Sequence, residues 1–363
     1  MRRVLVVVSV AFLFFGTVDA QSVGGAEDPH FSQFYAAPLT LNPAMTGAFD
    51  CNYRISAIYR TQWGSVLTND KVPMFSTPAL NFDIRTNRGF TKSGAFGFGL
   101  TFLSDRAGQS AFMTNRGGLS IAYHQGLDRH GNHFIGVGFQ SEIWVRSIDY
   151  SGLQFPMQND DGTYNGSLPT GEYLSNNNFI VWDVSLGALY TGKFGQRTNG
   201  YLGVAAHHLN RPTESFLGDQ SVRMPMKITA HGGIRFKLKG KFDMQPKFIY
   251  MNQGVSHELN FGTDFRYIFE ERDPQGNNLR FGAMFRMVGG DAKAAWKDGA
   301  MTAESVILNL AVEFSKLTIG ASYDINVSQL ANASRTYGAF EISAAYIGCF
   351  PKSRPGAMFC PKF

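Results

Sequence analysis

Charged residues are scarce in this chain of 363 residues. They make up 17% of it, against about 25% in ordinary soluble domains. The mean hydropathy of -0.13 is too low for a helical membrane protein, and beyond residue 20 polar residues interrupt every apolar run before it could form a spanning helix. Hydrophobic residues still amount to 44%. They can bury a large core, which excludes a disordered chain.

Cysteine and clustered basic residues are also scarce. The three cysteines are Cys51, Cys349 and Cys360. They form no CxxC pair and have no histidine pair nearby, so we expect no metal site. In an exported protein two of the three could form a disulfide, and the spacing does not identify which two. Without a block of Lys and Arg the chain is not expected to bind nucleic acid, and no motif calls for a cofactor.

The first twenty residues have the pattern of a signal peptide. A short basic start is followed by an apolar run over 4–15, and Val18 and Ala20 occupy the small-residue positions of a cleavage site. We therefore predict a signal peptide at 1–20, cut before Gln21. A membrane anchor is the alternative, but the apolar run is too short for one.

Glycine and phenylalanine are abundant, at 40 and 32 residues, and they occur in runs of period two. One such run alternates Phe96, Phe98, Leu100 and Phe102 with Ala95, Gly97, Gly99 and Thr101. Alternation of this kind predicts strands with one apolar and one polar face. About fourteen such runs lie at 53–60, 77–85, 94–105, 116–127, 132–143, 181–190, 200–208, 226–237, 242–250, 257–267, 278–287, 305–314, 317–324 and 339–346.

The connections between these runs tend to alternate in length. The long ones are 61–76, 106–115, 144–180, 209–225, 288–304 and 325–338, whereas the intervening ones are shorter. Long outer loops and short periplasmic turns are typical of bacterial outer-membrane barrels. We therefore predict an all-β fold, a transmembrane outer-membrane β-barrel of about 14 antiparallel strands at 53–346, with periplasmic termini. A soluble sandwich, the alternative, would favour Val, Ile and Leu over Gly and Phe in its buried layer.

Two flanking segments complete the predicted organisation. The leader, 21–52, is rich in apolar and aromatic residues, and Pro38 and Pro43 prevent it from forming one continuous helix. We expect it to fold into the barrel or across its base as a plug; the alternative is a flexible leader. The tail, 347–363, should lie in the periplasm.

A search for catalytic residues finds nothing specific. His207 and His208 end a predicted strand and His231 lies on a polar strand face, but no Ser or Asp is tied to them by spacing. Gly94 to Gly99 lies within a strand with no helix behind it, so it does not form a phosphate-binding loop. We expect no enzymatic activity.

Several motifs resemble those of a known family. They are Asp28-Pro-His-Phe-Ser-Gln-Phe-Tyr35, Leu41-Asn-Pro-Ala44, Tyr59-Arg-Thr-Gln-Trp-Gly64, His208-Leu-Asn-Arg-Pro212 and Gly320-Ala-Ser-Tyr-Asp324. Together they resemble the PorP/SprF family of type IX secretion system membrane proteins. The resemblance implies a non-enzymatic part of the secretion and gliding machinery of Bacteroidetes-type bacteria. It also implies export or surface attachment of adhesins, with periplasmic and peptidoglycan-associated subunits as partners.

Two other functions stay open at this point: a channel or hydrophobic-solute transport barrel similar to fatty-acid transporters, and a barrel enzyme that modifies lipid. The residues expected to matter for the plug or for partners lie in the leader and at the first junction of strand and loop. They are Phe31, Ser32, Gln33, Asn42, Pro43, Arg60 and Trp63.

Overall fold

The computed structural model describes residues 28–62, 74–86, 89–91, 93–108, 112–172, 176–270, 276–289, 301–328, 331 and 337–350. Within these ranges fourteen strands form a closed barrel. They are β1 (Tyr53–Gln62), β2 (Phe75–Arg85), β3 (Gly94–Ala107), β4 (Phe112–Gly126), β5 (His133–Ser147), β8 (Asn178–Lys193), β9 (Asn199–His207), β10 (Lys227–Lys237), β11 (Phe242–Gln253), β12 (Ser256–Ile268), β13 (Asn278–Gly289), β14 (Thr302–Phe314), β15 (Leu317–Asn326) and β16 (Tyr337–Gly348). A two-stranded hairpin in a loop consists of β6 (Asn159–Asp160) and β7 (Thr163–Tyr164).

The barrel closes where β1 pairs with β16, from Tyr53 opposite Gly348 to Gln62 opposite Ala339. The other barrel strands pair with their neighbours in the chain, and β5 pairs with β8 across the loop that holds β6 and β7. Closure leaves no free sheet edge, as a bilayer requires. The predicted all-β barrel of fourteen antiparallel strands is therefore confirmed. β5 continues to Ser147, past the point at which the sequence predicted a loop.

Apolar side chains cover the outside of the barrel and polar ones line the inside. On β3, Leu100 and Phe102 are 51% and 49% exposed, whereas the intervening Thr101 is 6% exposed. A soluble protein would bury such leucines and phenylalanines. This inverted distribution is that of a barrel surrounded by lipid.

The two ends of the barrel differ in their connections. At the short-turn end β10 and β11 are joined by residues 238–241, and β14 and β15 by Ser315 and Lys316. At the long-loop end residues 148–177 join β5 to β8, and residues 208–226 join β9 to β10. One tight turn, residues 254–255 between β11 and β12, also lies at the long-loop end.

The loop 208–226 folds back over the long-loop end of the barrel. Its Met224 is buried and packs against Trp144 and Val181 on the neighbouring strands β5 and β8. Glu214 in the same loop forms an ion pair with Arg146 of β5. These contacts fix the loop beside the interior of the barrel.

Candidate functional site: the leader inside the barrel

The described part of the leader, residues 28–52, lies inside the barrel and runs along its length. At the long-loop end the Asp28 amide donates to Oε1 of Gln253 over 3.1 Å. At the short-turn end the Asn52 amide donates to the carbonyl of Gly348 over 3.0 Å. Three single helical turns lie between, Phe34–Ala36, Pro38–Leu41 and Pro43–Met45. None of the helices in the described chain is long enough to cross a membrane.

Two prolines, Pro38 and Pro43, explain why the leader forms separate turns and not one helix. Pro38 and Pro43 each occupy the first position of a turn, where the missing N–H costs nothing because that group has no partner within the helix. Further along a helix either ring would remove a hydrogen bond and clash with the preceding turn. The leader therefore consists of short turns, and several of its backbone groups need partners on the barrel wall.

Glu341 of β16 supplies two of these partners. Its Oε1 accepts from the Ser32 amide over 2.7 Å, and its Oε2 accepts from the Gln33 amide over 2.8 Å. Glu341 is fully buried. An unpaired buried amide costs about 1–3 kcal/mol, so this one carboxylate fixes the position of two consecutive leader residues.

The Ser32 hydroxyl lies at the centre of a charged network. It donates to Oδ2 of Asp324 over 2.7 Å and accepts from Arg60 over 2.9 Å and from Arg286 over 2.5 Å. Arg60 also binds Glu341 at 2.6 Å, and Arg286 binds Asp324 at 2.9 Å. The network joins the leader to β1, β13, β15 and β16, and every charge in it has an opposite partner.

Phe31 precedes this network and packs in an apolar pocket. It is 4% exposed, and its cluster includes Ile58, Ala79 and Leu103 from the inner faces of β1, β2 and β3. Burying a phenylalanine contributes about 1.5–3 kcal/mol. Phe31 thus adds a non-polar contact beside the ionic ones.

Asn42 connects the leader to the opposite wall. Its Nδ2 lies within 3.2 Å of the carbonyls of Ala188 and Val204 and 3.0 Å from Nε2 of His231. Its Oδ1 accepts from the Ala44 amide over 2.8 Å and so caps the turn that begins at Pro43. This one side chain bridges β8, β9 and β10.

Two inward glycines make room for this part of the leader. A Cβ added to Gly138 on β5 would overlap the backbone of Pro43, and one added to Gly187 on β8 would overlap Oδ1 of Asn42. Glycine is the residue that permits such close backbone approach. Part of the glycine excess in the sequence is explained by this contact.

At the short-turn end the leader is held by Asp83 of β2 and Arg54 of β1. Oδ2 of Asp83 accepts from the Gly47 amide over 2.8 Å. Arg54 makes a two-pronged contact with the same carboxylate, at 2.9 and 2.8 Å, and donates to the Met45 carbonyl over 3.0 Å. Paired contacts between arginine and carboxylate are among the strongest hydrogen bonds in proteins.

Cys51 and Cys349 are joined by a disulfide at the same end, with their Cα atoms 4.7 Å apart. Cys51 has a positive φ of 93°, which brings the end of the leader against the end of β16. Cys360 and Trp63, the remaining residues singled out in the sequence, lie outside the described residues.

At the long-loop end His208 lies between two carboxylates. Its Nε2 is 2.8 Å from Oδ2 of Asp28, and its Nδ1 is 3.1 Å from Oδ1 of Asp183. Burial disfavours the charged imidazole, but the negative charges of Asp28 and Asp183 outweigh it and raise the pKa of His208 to about 9. His208 follows β9, so this cluster ties the start of the described leader to the loop 208–226.

The structure thus brings Phe31, Ser32 and Gln33 together with Arg60 at one wall of the interior. It places Asn42 and Pro43 against the opposite wall. Among the wall residues that hold the leader, Asp324 and His208 lie in motifs recognised in the sequence, but nothing in the sequence shows that they contact the leader. Arg286 and Asp83 lie outside those motifs, and their only signal is an inward position on an alternating strand. Among the described residues no group of three or more His, Cys, Asp or Glu is arranged to hold a metal ion.

Comparison with protein families gives a match over most of the chain. The model described as Type IX secretion system membrane protein PorP/SprF matches residues 23–346. A search of curated proteins finds no match.

Comparison with solved structures gives other barrels. A TodX monoaromatic hydrocarbon channel mutant has 11% identity and a TM-score of 0.49, with 91% of this chain and 98% of that chain covered. The Ralstonia pickettii toluene transporter TbuX has 10% identity and a TM-score of 0.46, with 86% and 92% covered. BamA from Haemophilus ducreyi lacking POTRA domains 1–3 has 9% identity and a TM-score of 0.46, with 82% and 70% covered. Similarities this weak carry no argument about function.

Proposed function

Since the chain belongs to the PorP/SprF family of type IX secretion system membrane proteins, we propose that it is a non-enzymatic outer-membrane component of the secretion and gliding machinery. In this role it supports the export or surface attachment of secreted proteins, adhesins among them. Its partners are the cargo protein, outer-membrane lipid, and periplasmic and peptidoglycan-associated subunits of the system. The short-turn end faces the periplasm, and the long-loop end faces the cell exterior.

The observation that supports a scaffolding role is the position of the leader. Ser32 is bound by β1, β13, β15 and β16, whereas Asn42 is bound by β8, β9 and β10 on the other side of the ring. A segment fixed to opposite walls leaves little room for a continuous pore. We therefore propose that the leader is a plug, and that the protein acts through the surfaces at its two ends.

A gene deletion in the native bacterium tests this function. We expect surface adhesins to be lost while the lipid composition stays unchanged, and cross-linking in wild-type cells to recover periplasmic ring or peptidoglycan-binding subunits with the barrel. Complementation with Ser32→Ala should restore export poorly, whereas Ser167→Ala, in an exposed loop, should restore it fully. Heat-modifiable migration of each barrel shows that it is folded.

Two outcomes would contradict the proposal. Altered lipids with normal adhesins after deletion would favour a lipid-modifying enzyme. A large, steady conductance of the purified wild-type protein in planar bilayers would favour a transport channel.

A further inference from the structure

A cavity of about 260 Å³ lies at the short-turn end of the barrel, between the leader and the inner wall of β14, β15 and β16. The turn formed by Ser315 and Lys316 borders it, and so does Ile347 near the end of β16. On the leader side its lining includes Tyr35, Met45 and Phe49. The plug thus leaves a chamber on the side that we assign to the periplasm.

Small residues on the wall create this space. Arg280, Ala311, Gly320 and Ser343 lie in one row across β13, β14, β15 and β16, and all four line the cavity. Alanine and glycine therefore occupy the positions between a long arginine and a serine. A Cβ on Gly320 would come within 2.7 Å of Oε1 of Gln33, so the row accommodates the leader and still leaves room beside it.

Two of the lining residues carry buried donors that have no partner. Arg280 is 3% exposed, and its Nε and Nη1 make no hydrogen bond; Gln33 is 0% exposed, and its Nε2 makes none. The other groups of Gln33 are satisfied, since its Oε1 accepts from Ser343 over 2.8 Å. Buried polar groups almost always have partners, so these three donors beside one cavity are available to a ligand that brings acceptors.

The chemistry of these donors selects a carboxylate. A guanidinium matches the two oxygens of a carboxylate in geometry and charge. The Arg280 guanidinium lies 5.9 Å from the centre of the Tyr35 ring, which also lines the cavity. The other charged lining residues are the basic Arg54 and Lys316 and the acidic Asp50, so positive charge predominates around the cavity.

The remaining lining residues indicate the chemical character of the rest of the ligand. Tyr35, Met45, Phe49 and Ala311 present apolar surface, which suits an acyl or aryl chain. A peptide would bring its own amide N–H groups, and these need acceptors, whereas the unused atoms of Arg280 and Gln33 are donors. The described strands around this cavity belong to the closed barrel, so they offer no free edge with which a peptide could pair.

We propose that this cavity binds a small amphiphile that has a carboxylate head and an apolar body. The carboxylate accepts from Arg280 and Gln33, and the chain lies against Tyr35, Met45 and Phe49. This inference goes beyond the proposed role in secretion and does not depend on it.

Direct binding to the purified full-length protein in lipid nanodiscs tests the proposal. Decanoate is titrated by calorimetry, with empty nanodiscs subtracted, and decanol serves as the matched probe without a carboxylate. We expect one decanoate per barrel and at least tenfold weaker binding of decanol, since a hydrogen bond to a charged group is lost. Arg280→Gln should weaken decanoate binding about tenfold or more and leave decanol unchanged.

Two matched pairs of variants distinguish binding in the cavity from effects on the barrel as a whole. One pair is Ala345→Leu with Ala344→Leu, and the other is Arg280→Gln with Lys239→Gln. Ala345→Leu fills the cavity and should abolish binding, whereas Ala344→Leu, on the outward face of the same strand, should not. Lys239→Gln removes an exposed charge at the same end and should leave binding unchanged. Equal binding of decanol and decanoate, or no binding above that of empty nanodiscs, would overturn the proposal. Tighter binding of an apolar tetrapeptide with a free carboxylate would overturn the choice of an amphiphile.

Discussion

The two ends of the leader are held inside the barrel by different forces. The upper leader, residues 28–33, is held mainly by charged side chains, with Ser32 bound to two carboxylates and two arginines through a single network. The lower leader, residues 42–51, is held by close backbone packing, by Asn42 and Asp83, and by the disulfide at Cys51. The upper contacts depend mainly on charge, whereas the lower ones combine close packing with the buried pair of Arg54 and Asp83.

Buried charge on the inner wall and the leader differs between the same two regions. Toward the long-loop end acids predominate, namely Asp28, Glu142, Asp183, Glu258, Asp324 and Glu341, against Arg60, Arg116, Arg146, Arg286 and the protonated His208. Toward the short-turn end bases predominate, namely Arg54, Arg85, Arg235, Arg266 and Arg280, against Asp83, Asp243 and Glu313. The remaining buried charges, Lys247 and Asp264, pair with each other and add no net charge. A basic interior attracts anions into a narrow opening. The proposed carboxylate site lies in that half of the barrel.

The largest effect is expected from breaking the close packing of the lower leader. Gly138→Leu places a side chain where the backbone of Pro43 lies, so the leader cannot occupy its position. We expect single-channel conductance in planar bilayers to rise from a closed baseline to steady open events. Gly117→Leu, at an outward glycine whose added Cβ meets nothing within 4 Å, is the control and should stay closed. A Gly138→Leu barrel that is heat-modifiable, and therefore folded, but non-conducting would contradict the plug.

A smaller effect is expected from neutralising the upper leader. Glu341→Gln removes the charge that balances Arg60 and turns one acceptor of a leader amide into a donor. Breaking a buried pair of this kind costs about 3–5 kcal/mol, so the upper leader should detach while the disulfide retains the lower one. Protease clipping between Asp28 and Phe34 should become faster, with the barrel intact. Glu304→Gln is the matched control because that carboxylate is 30% exposed and lies 3.5 Å from Arg286; equal clipping in both variants would count against the network.

The sequence predicted the barrel well and the site only in part. Period-two alternation places Leu100 outward and Thr101 inward independently of the conformation of the loops. The number of strands and the orientation of their faces could therefore be predicted. Strand ends were less certain. β5 runs on through Trp144 to Ser147 because it stays paired with both β4 and β8 over this stretch. The inward Trp144 also packs against the loop residue Met224, and the local sequence shows neither contact. The network around Ser32 joins residues about 300 positions apart, such as Glu341. Alternation shows that Glu341 points inward, but it does not show what lies opposite.

The smallest expected effect concerns the attachment of Asp28 to the loop 208–226. The pKa of His208 is raised to about 9 in the folded protein, above an unfolded value of about 6.5. A raised pKa gives stabilisation that is fully present below the unfolded value and is lost as the pH rises through the folded one. His208 is also faced by Asp183 and His207, and Lys227 and Arg116 lie near Asp28. The pKa of the Asp28 carboxyl lies well below its usual value, so Asp28 keeps its charge in this range.

Raising the pH from 7 to 10 should therefore weaken this attachment, by up to about 2 kcal/mol, and leave the network around Ser32 in place. A cysteine introduced by Pro29→Cys reports the change through its rate of labelling by a maleimide, corrected for the ionisation of the thiol. We expect the corrected rate to rise between pH 8 and 10 in this variant. Adding His208→Gln should make the rate high at every pH, whereas adding His130→Gln, in an exposed turn at the other end, should change nothing. Labelling of Pro29→Cys that did not vary with pH would mean that packing, and not the charge of His208, holds Asp28 in place. The contrast between the two ends of the leader would then be confined to Ser32 and Gln33.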